Sequence, residues 1–345
     1  MFHHSRSSRR AALKRAARTT LALSVVLGIA ACSSTASGAS SNTGKVANVT
    51  YVGVVGLPMP ESAAQTEGFF AKAGVKVTEK TLVAGTNAMA AMVGGSTDFA
   101  VGGDTRLVQS AAQGLPIVAV GLQQTDFPSY LVVPAADHTT KSFADLKGKK
   151  IAIEVGSSQQ AGVVRYLEAV GLSPDSFDWV NLAKDAAVAA VASKSVAAAV
   201  FTDEFEYAAV SKKIARVILT PKQFSAKSGA QWPFMLMTTK KLIAQHPDVV
   251  QKFVDGWTCA KEYLVKNPAK ARSLMRAQFK NYDPQLVTNL MSNTSWTQQT
   301  INKSLVTDIK AQGKALITLG ALKSVPSLNG YIDNSFVEKA IQTCK

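Results

Sequence analysis

The sequence predicts an α/β fold in two lobes, each a mixed sheet flanked by helices, with a hinged cleft between lobes and a helical C-terminal region. Three observations carry this expectation. Short apolar runs alternate with helix-patterned stretches from Val46 to Leu219, the sign of strand–helix–strand units. The alternation falls into two series that part near Pro134. Beyond Thr239 the strand pattern gives way to apolar positions spaced three and four apart. Without its first 31 residues the chain keeps about 300, enough for two lobes.

In the first series, Val49 to Val55 reads as a strand ended by Gly56 and Pro58. Glu61 to Ala73 reads as a helix stopped at Gly74. Val75 to Val83 alternates as a strand, Ala88 to Val93 is helical, and Phe99 to Val101 is a short buried strand. A helix from Thr105 to Gln113 follows, then strands at Ile117 to Leu122 and Tyr130 to Val133. In the second series, Lys150 to Val155 is a strand and Gln159 to Val170 a helix stopped at Gly171. Ala186 to Ala192 is helical; Ala197 to Phe201 and Val217 to Leu219 are strands. The runs 88–101 and 186–200 share one order of helix, small polar turn and apolar strand, as two lobes built alike would. Crossovers are expected at 123–134 and 222–233. The predicted division is residues 46–128 plus 232–345 for one lobe and 129–231 for the other.

In the C-terminal region Val249, Phe253, Trp257, Ala260 and Leu264 share one helical face and read as core. Pro247, Pro268 and Pro284 each stand near a helix start, where a missing N–H costs nothing.

Residues 1–31 read as an export signal. Arg6, Arg9, Arg10, Lys14, Arg15 and Arg18 form a basic leader without an acid. The apolar run from Leu21 to Ala31 is shorter than the ~20 residues a membrane span needs. Ile29-Ala30-Ala31-Cys32 resembles the bacterial lipobox, which makes Cys32 the lipidated N-terminus of the mature chain. Residues 32–45 then form a flexible Ser/Thr/Ala/Gly tether. Ser8-Arg9-Arg10-Ala11-Ala12-Leu13-Lys14 resembles the twin-arginine export motif, with Ala12 where a large apolar residue is usual. The expected location is the outer face of the cytoplasmic membrane.

Loss of the six leader cations brings the formal charge from +15 to near +9. The remaining Lys and Arg are scattered, without the basic stripe and interleaved aromatics of a nucleic-acid groove. Cys259 and Cys344 remain as a pair in an oxidising compartment: a disulfide and two free thiols are both open readings. Four His, two of them in the leader, cannot build a zinc-type cluster. No phosphate loop or Gly-x-Ser-x-Gly elbow occurs, so neither a cofactor nor an enzyme is expected.

Four motifs in order carry a family resemblance: Glu67-Gly68-Phe69-Phe70-Ala71-Lys72-Ala73-Gly74, Gly94-Gly95-Ser96-Thr97-Asp98-Phe99-Ala100, Gln113-Gly114-Leu115-Pro116-Ile117 and Asp145-Leu146-Lys147-Gly148-Lys149-Lys150-Ile151-Ala152. Gly156-Ser157-Ser158 and Gly171-Leu172-Ser173-Pro174 follow. The chain resembles the substrate-binding proteins of nitrate, sulfonate, taurine and thiamine-precursor importers. That resemblance implies a type II periplasmic-binding fold, a small-molecule solute, and ABC permease and ATPase partners for a monomer. Gly103-Asp104-Thr105 and Gly156-Ser157-Ser158 look most like the aliphatic-sulfonate binders. Arg106 stands where those have proline, and Thr202-Asp203-Glu204 replaces a Trp-Asp-Pro-like turn.

Gly-rich turns that open helices offer free N–H groups and hydroxyl or amide donors to an anionic head group. The candidates are Thr86 and Asn87, Asp104 and Thr105, Ser157, Ser158 and Gln159, and less clearly the loop 56–62. Plain N-capping is the other reading of each turn. Asp203, Glu204 and Glu206 either favour the start of the following helix or meet an amine on the solute. Trp232 covers an apolar part of the ligand or packs at the hinge.

Overall fold

The computed structural model describes residues 46–54, 60–82, 85–126 and 129–344, with the backbone alone at 54, 81–82 and 85–87. The leader, Cys32 and the tether lie outside the described residues. So does most of the 56–62 loop.

Ten strands form two five-stranded sheets among the described residues. They are β1 (Ala47–Val54), β2 (Val75–Leu82), β3 (Phe99–Gly103), β4 (Ile117–Gln124), β5 (Tyr130–Pro134), β6 (Lys150–Ile153), β7 (Asp178–Asn181), β8 (Ala198–Phe201), β9 (Ala215–Leu219) and β10 (Phe234–Thr239). The first sheet has the order β2-β1-β3-β10-β4 and the second β7-β6-β8-β5-β9. The pairing scheme is the same in both. β1 runs parallel to β2 and β3, and β10 antiparallel to β3 and β4. β6 runs parallel to β7 and β8, and β5 antiparallel to β8 and β9. Each sheet thus takes its fourth strand from the segment that has just crossed over: β5 follows β4, and β10 follows β9. The Asp126 N–H donates to Gln231 O at 2.8 Å, tying one crossover to the other. The two-sheet, helix-flanked α/β architecture expected from the sequence is present.

Strand alternation fills both faces of each sheet. On β5, Leu131 and Val133 enter one core with Val163, Leu167 and Phe224, while Val132 enters the opposite core with Val191 and Ala199. One face of the first sheet receives the Pro247–Lys266 helix. There Phe253 lies on Phe99 with ring centroids 4.0 Å apart and on Phe70 at 4.9 Å. Trp257, Ala260 and Leu264 continue that buried face, as their spacing predicts. The other face holds Met89, Met92 and Leu107, with Leu305, Ile309 and Leu316 from the Lys303–Thr318 helix. Pro247, Pro268 and Pro284 all occupy the first helical turn. Cys259 and Cys344 form a disulfide with Cα atoms 5.0 Å apart, clamping the end of the Ser335–Thr343 helix to the Pro247–Lys266 helix.

The structure differs from the sequence reading at four places, one of them the expected 222–233 crossover, which begins as a helix, Pro221–Ser228, with Pro221 in its first turn and a capping box at Thr220. The helix read over 61–73 is two, Pro60–Thr66 and Phe69–Lys72, because Gly68 at φ +77° breaks the helical run. β7 was not expected: Asp178-Trp179-Val180-Asn181 is an edge strand with no fully buried residue, so it lacks an apolar run. β10 was not expected either. Its Met-Leu-Met centre favours helix intrinsically, and it is a strand because it is paired on both sides.

Candidate functional site

Parallel strands deliver the turns that follow them to one edge of a sheet, where helices begin. In the second sheet β6 leads into the Ser158–Ala169 helix and β8, its parallel neighbour, into the Asp203–Ser211 helix. In the first sheet β3 leads into the Asp104–Ala112 helix. The candidate residues therefore come from corresponding turns of both sheets.

Two polar junctions result. In the first, Thr105 Oγ1 and Ser158 Oγ lie 2.8 Å apart, and the Thr105 N–H donates to Asp104 Oδ1 at 2.6 Å. Gly103 permits this approach. A Cβ built there would stand 2.6 Å from Ser158 Oγ. Gln312, from the Lys303–Thr318 helix, donates to Ser158 O at 3.4 Å. On the same helix Asp308 pairs with Arg165 at 2.7 Å, both side chains largely buried. Asp308 also accepts from the Gln231 N–H at 3.2 Å, and Arg165 donates to Ser228 O at 3.2 Å. Burial pushes the Asp104 carboxyl up to about 7, reinforced by the Asp308 charge and opposed by hydrogen bonding to Ser158, Gln312 and the Thr105 N–H.

Ser157 caps its helix: it accepts from the Gln160 N–H at 3.2 Å and donates to Glu154 O at 2.6 Å. Gln159 turns to the crossover instead, donating to Ser129 Oγ at 2.9 Å.

The second junction is acidic. Asp203 Oδ1 accepts from the Tyr130 hydroxyl at 2.8 Å and from Asn293 Nδ2 at 2.6 Å; Asn293 Nδ2 also lies 2.9 Å from the Tyr130 oxygen. Thr202 is the N-cap residue of this helix, yet no side-chain cap forms. Burial is the main cause that pushes Glu204 and Glu206 up to about 7 and also raises Asp203. The Asp203 charge reinforces the shift at both glutamates, whereas Lys184 opposes it at Glu204. Asp126 is pushed up to about 6, again by burial first and by Asp203 after it.

Thr86, Asn87 and Trp232 are the remaining candidates. Thr86 and Asn87 lie in the first turn of the Gly85–Val93 helix by their backbone; their side chains are outside the described residues. Trp232, at φ +48° and 5 % exposed, packs edge-on against Phe234 at 5.1 Å beside Ala230 and Phe224. The sequence reading missed Tyr130, Arg165, Asn293, Asp308 and Gln312. Three of these come from the C-terminal region, remote in sequence from the turns they touch, so no local motif announces them. Among the described residues no group of three His, Cys, Asp or Glu side chains could hold a metal ion. No described helix is long and apolar enough to cross a membrane.

Comparison with known proteins gives concordant results. The family profile described as NMT1/THI5 like matches residues 59–271. A putative aliphatic sulfonates-binding protein of Bacillus subtilis is 23 % identical over 276 residues, covering 80 % of this chain and 82 % of that one. A putative thiamine biosynthesis protein of Haemophilus influenzae is 35 % identical over 121 residues, or 34 % of this chain and 38 % of the other. Among solved structures, the alkanesulfonate-binding protein SsuA of Xanthomonas axonopodis pv. citri, bound to MOPS, superposes with a TM-score of 0.71 at 19 % identity. That match covers 84 % of this chain and 99 % of SsuA.

Proposed function

The chain belongs to the NMT1/THI5-like family, and on that premise we propose that it is the solute-binding component of an ABC importer, held outside the cytoplasmic membrane by a lipid on Cys32. The solute is small and anionic or zwitterionic, an aliphatic sulfonate, taurine or nitrate being the leading classes. The two lobes are residues 46–128 with 232–345 and residues 129–231. Closure of the lobes around the solute creates the shape that the permease recognises, because only the closed form supplies contacts from both sides. The protein works as a monomer and binds without catalysis.

One observation carries this reading: matching strand–helix turns of two sheets, Gly103-Asp104-Thr105 and Gly156-Ser157-Ser158, meet directly at Thr105 and Ser158. Thr105, Ser158 and Gln159 supply hydroxyl and amide donors at helix starts, the chemistry that suits an oxyanion. Thr86 and Asn87 open a helix in the first sheet and complete the proposed set, with Trp232 supporting the return crossover. A thiamine-precursor pyrimidine is the second reading, favoured by the 35 % identity with the Haemophilus influenzae thiamine biosynthesis protein over 121 residues.

A thermal-shift screen of the mature chain with sulfonates, taurine, nitrate and pyrimidine precursors tests the reading. A ligand at 100 times its Kd adds about 2.7 kcal/mol of stability, an easily measured shift. If no member of these classes moves the transition, the proposed solute class is wrong.

A further inference from the structure

The Pro268–Gln278 helix turns one face to the first core and the other to solvent. Ala271 and Met275 are buried, as is Phe279 just past the helix end. Arg272 and Arg276 lie four residues apart on the exposed side, and Lys280 follows in the next turn, also exposed. Ala269, Ser273 and Ala277, all exposed, separate them with short side chains. The three cations have no ion-pair or hydrogen-bond partner among the described residues. Their neighbours are different: Lys266 pairs with Glu262 at 3.3 Å and Lys270 with Glu67 at 3.1 Å. Residues 263–282 carry these cations and no acid. Like charges four apart on a helix repel, and nothing described in the chain offsets that repulsion.

The chain enters the fold near this helix. The Ala47 N–H donates to Gly74 O at 3.1 Å, and Glu67, the partner of Lys270, lies just ahead of the Phe69–Lys72 helix that leads to Gly74. That short helical connection spans about 17 Å at most. Residues 32–45 reach about 48 Å when fully extended. The lengths allow a lipid on Cys32 and the cationic helix face to meet one membrane surface.

We propose that Arg272, Arg276 and Lys280 rest on anionic lipid headgroups of the cytoplasmic membrane's outer leaflet. The inference rests on the lipid-anchor part of the proposed function and adds a second contact to it. A lipid on a flexible tether leaves the protein free to turn; a cationic face fixes which side meets the bilayer. Guanidinium groups suit phosphate because their paired N–H donors match its oxygens.

The test is co-sedimentation of the leaderless chain carrying Cys32→Ser, which has no lipid, with two kinds of vesicle. Vesicles of equal parts phosphatidylcholine and phosphatidylglycerol should bind it at low salt, vesicles of phosphatidylcholine alone should not, and added salt should weaken binding. Joint Arg272→Gln, Arg276→Gln and Lys280→Gln should weaken it about a hundredfold, near fivefold per cation. The melting temperature of that variant should not fall, since it loses only repulsion. Joint Lys303→Gln, Lys310→Gln and Lys314→Gln, an equal charge change on another exposed helix face, should leave most of the binding. Equal losses in the two triple variants, or no binding to the mixed vesicles, overturn the proposal. Binding to soluble polyglutamate but not to vesicles assigns the face to an acidic protein and also overturns it. The mass of the N-terminal peptide from the natural protein tests the anchor separately. An unmodified Cys32 with vesicle binding that depends on the three cations removes the anchor and leaves the lipid-facing helix.

Discussion

Two buried acids, one in each half of the molecule, are both pushed up to about 7 by burial, yet they have different neighbours. Glu61 is packed against the first sheet at 1 % exposure, where its Oε1 accepts from Trp257 Nε1 at 2.8 Å. Lys261, fully buried one helical turn beyond Trp257, donates to the carbonyls of Leu122 and Gln298, and the Glu61 charge acts on it. Glu206, in the second half, is nearly as buried and has no such cation. The difference teaches how to separate structure from function. Glu61, with a buried tryptophan donor and a buried lysine nearby, is part of the core, whereas Glu206 has a second acid beside it and no hydrogen-bond partner among the described residues.

The largest expected effect concerns the covalent clamp on the helix that carries Trp257 and Lys261. Replacing both Cys259 and Cys344 with alanine should cost about 4.5 kcal/mol, the chain-entropy value for an 85-residue separation. Urea denaturation reads it, and the loss should leave ligand affinity intact. Next is Lys261→Met, which removes both carbonyl contacts and leaves Glu61 without its cation. We expect a loss of about 3 kcal/mol by the same measurement. A cost below about 1 kcal/mol would show that Lys261 does not hold the core, and the contrast would collapse.

Glu206→Gln should act in the reverse direction. Removing an uncompensated charge is expected to stabilise the ligand-free protein by about 1 kcal/mol, while Glu61→Gln destabilises it. If both substitutions destabilise equally, the two acids are doing the same structural job.

The smallest effect is on pH. Glu204 and Glu206 are raised from 4.5 to about 7 and Asp104 from 3.8 to about 7 in the folded chain. The folded state then holds more protons than the unfolded state between about pH 4 and pH 7, so stability falls as pH rises through that window. Melting temperature should be higher at pH 5.5 than at pH 7, and Glu206→Gln should flatten the slope. Lys261, lowered from 10.5 to about 7, contributes an opposite slope only above pH 7.

Much of the fold was legible because it is written locally. Pro247, Pro268 and Pro284 begin helices since proline lacks only an N–H that is unused there. The faces of the Pro247–Lys266 helix follow from apolar spacing alone. β10 was hidden for the converse reason: its residues carry no strand preference that outweighs their helical one. Within the candidate site, Asp104, Thr105 and Ser158 were readable as polar residues at Gly-rich turns, but their mutual contact was not. Asn293 and Gln312 could not be read at all, because each follows its partner by more than 80 residues.

The sequence alone determined the alternation of strands and helices, the helix starts and the family, since these depend on residue type and short-range spacing. Only the tertiary structure decided which acid keeps company with a lysine. Glu61 and Glu206 are the same side chain near the start of a helix, and nothing local distinguishes them. Their different neighbours follow from what distant segments bring within a few ångströms, where burial makes each contact count.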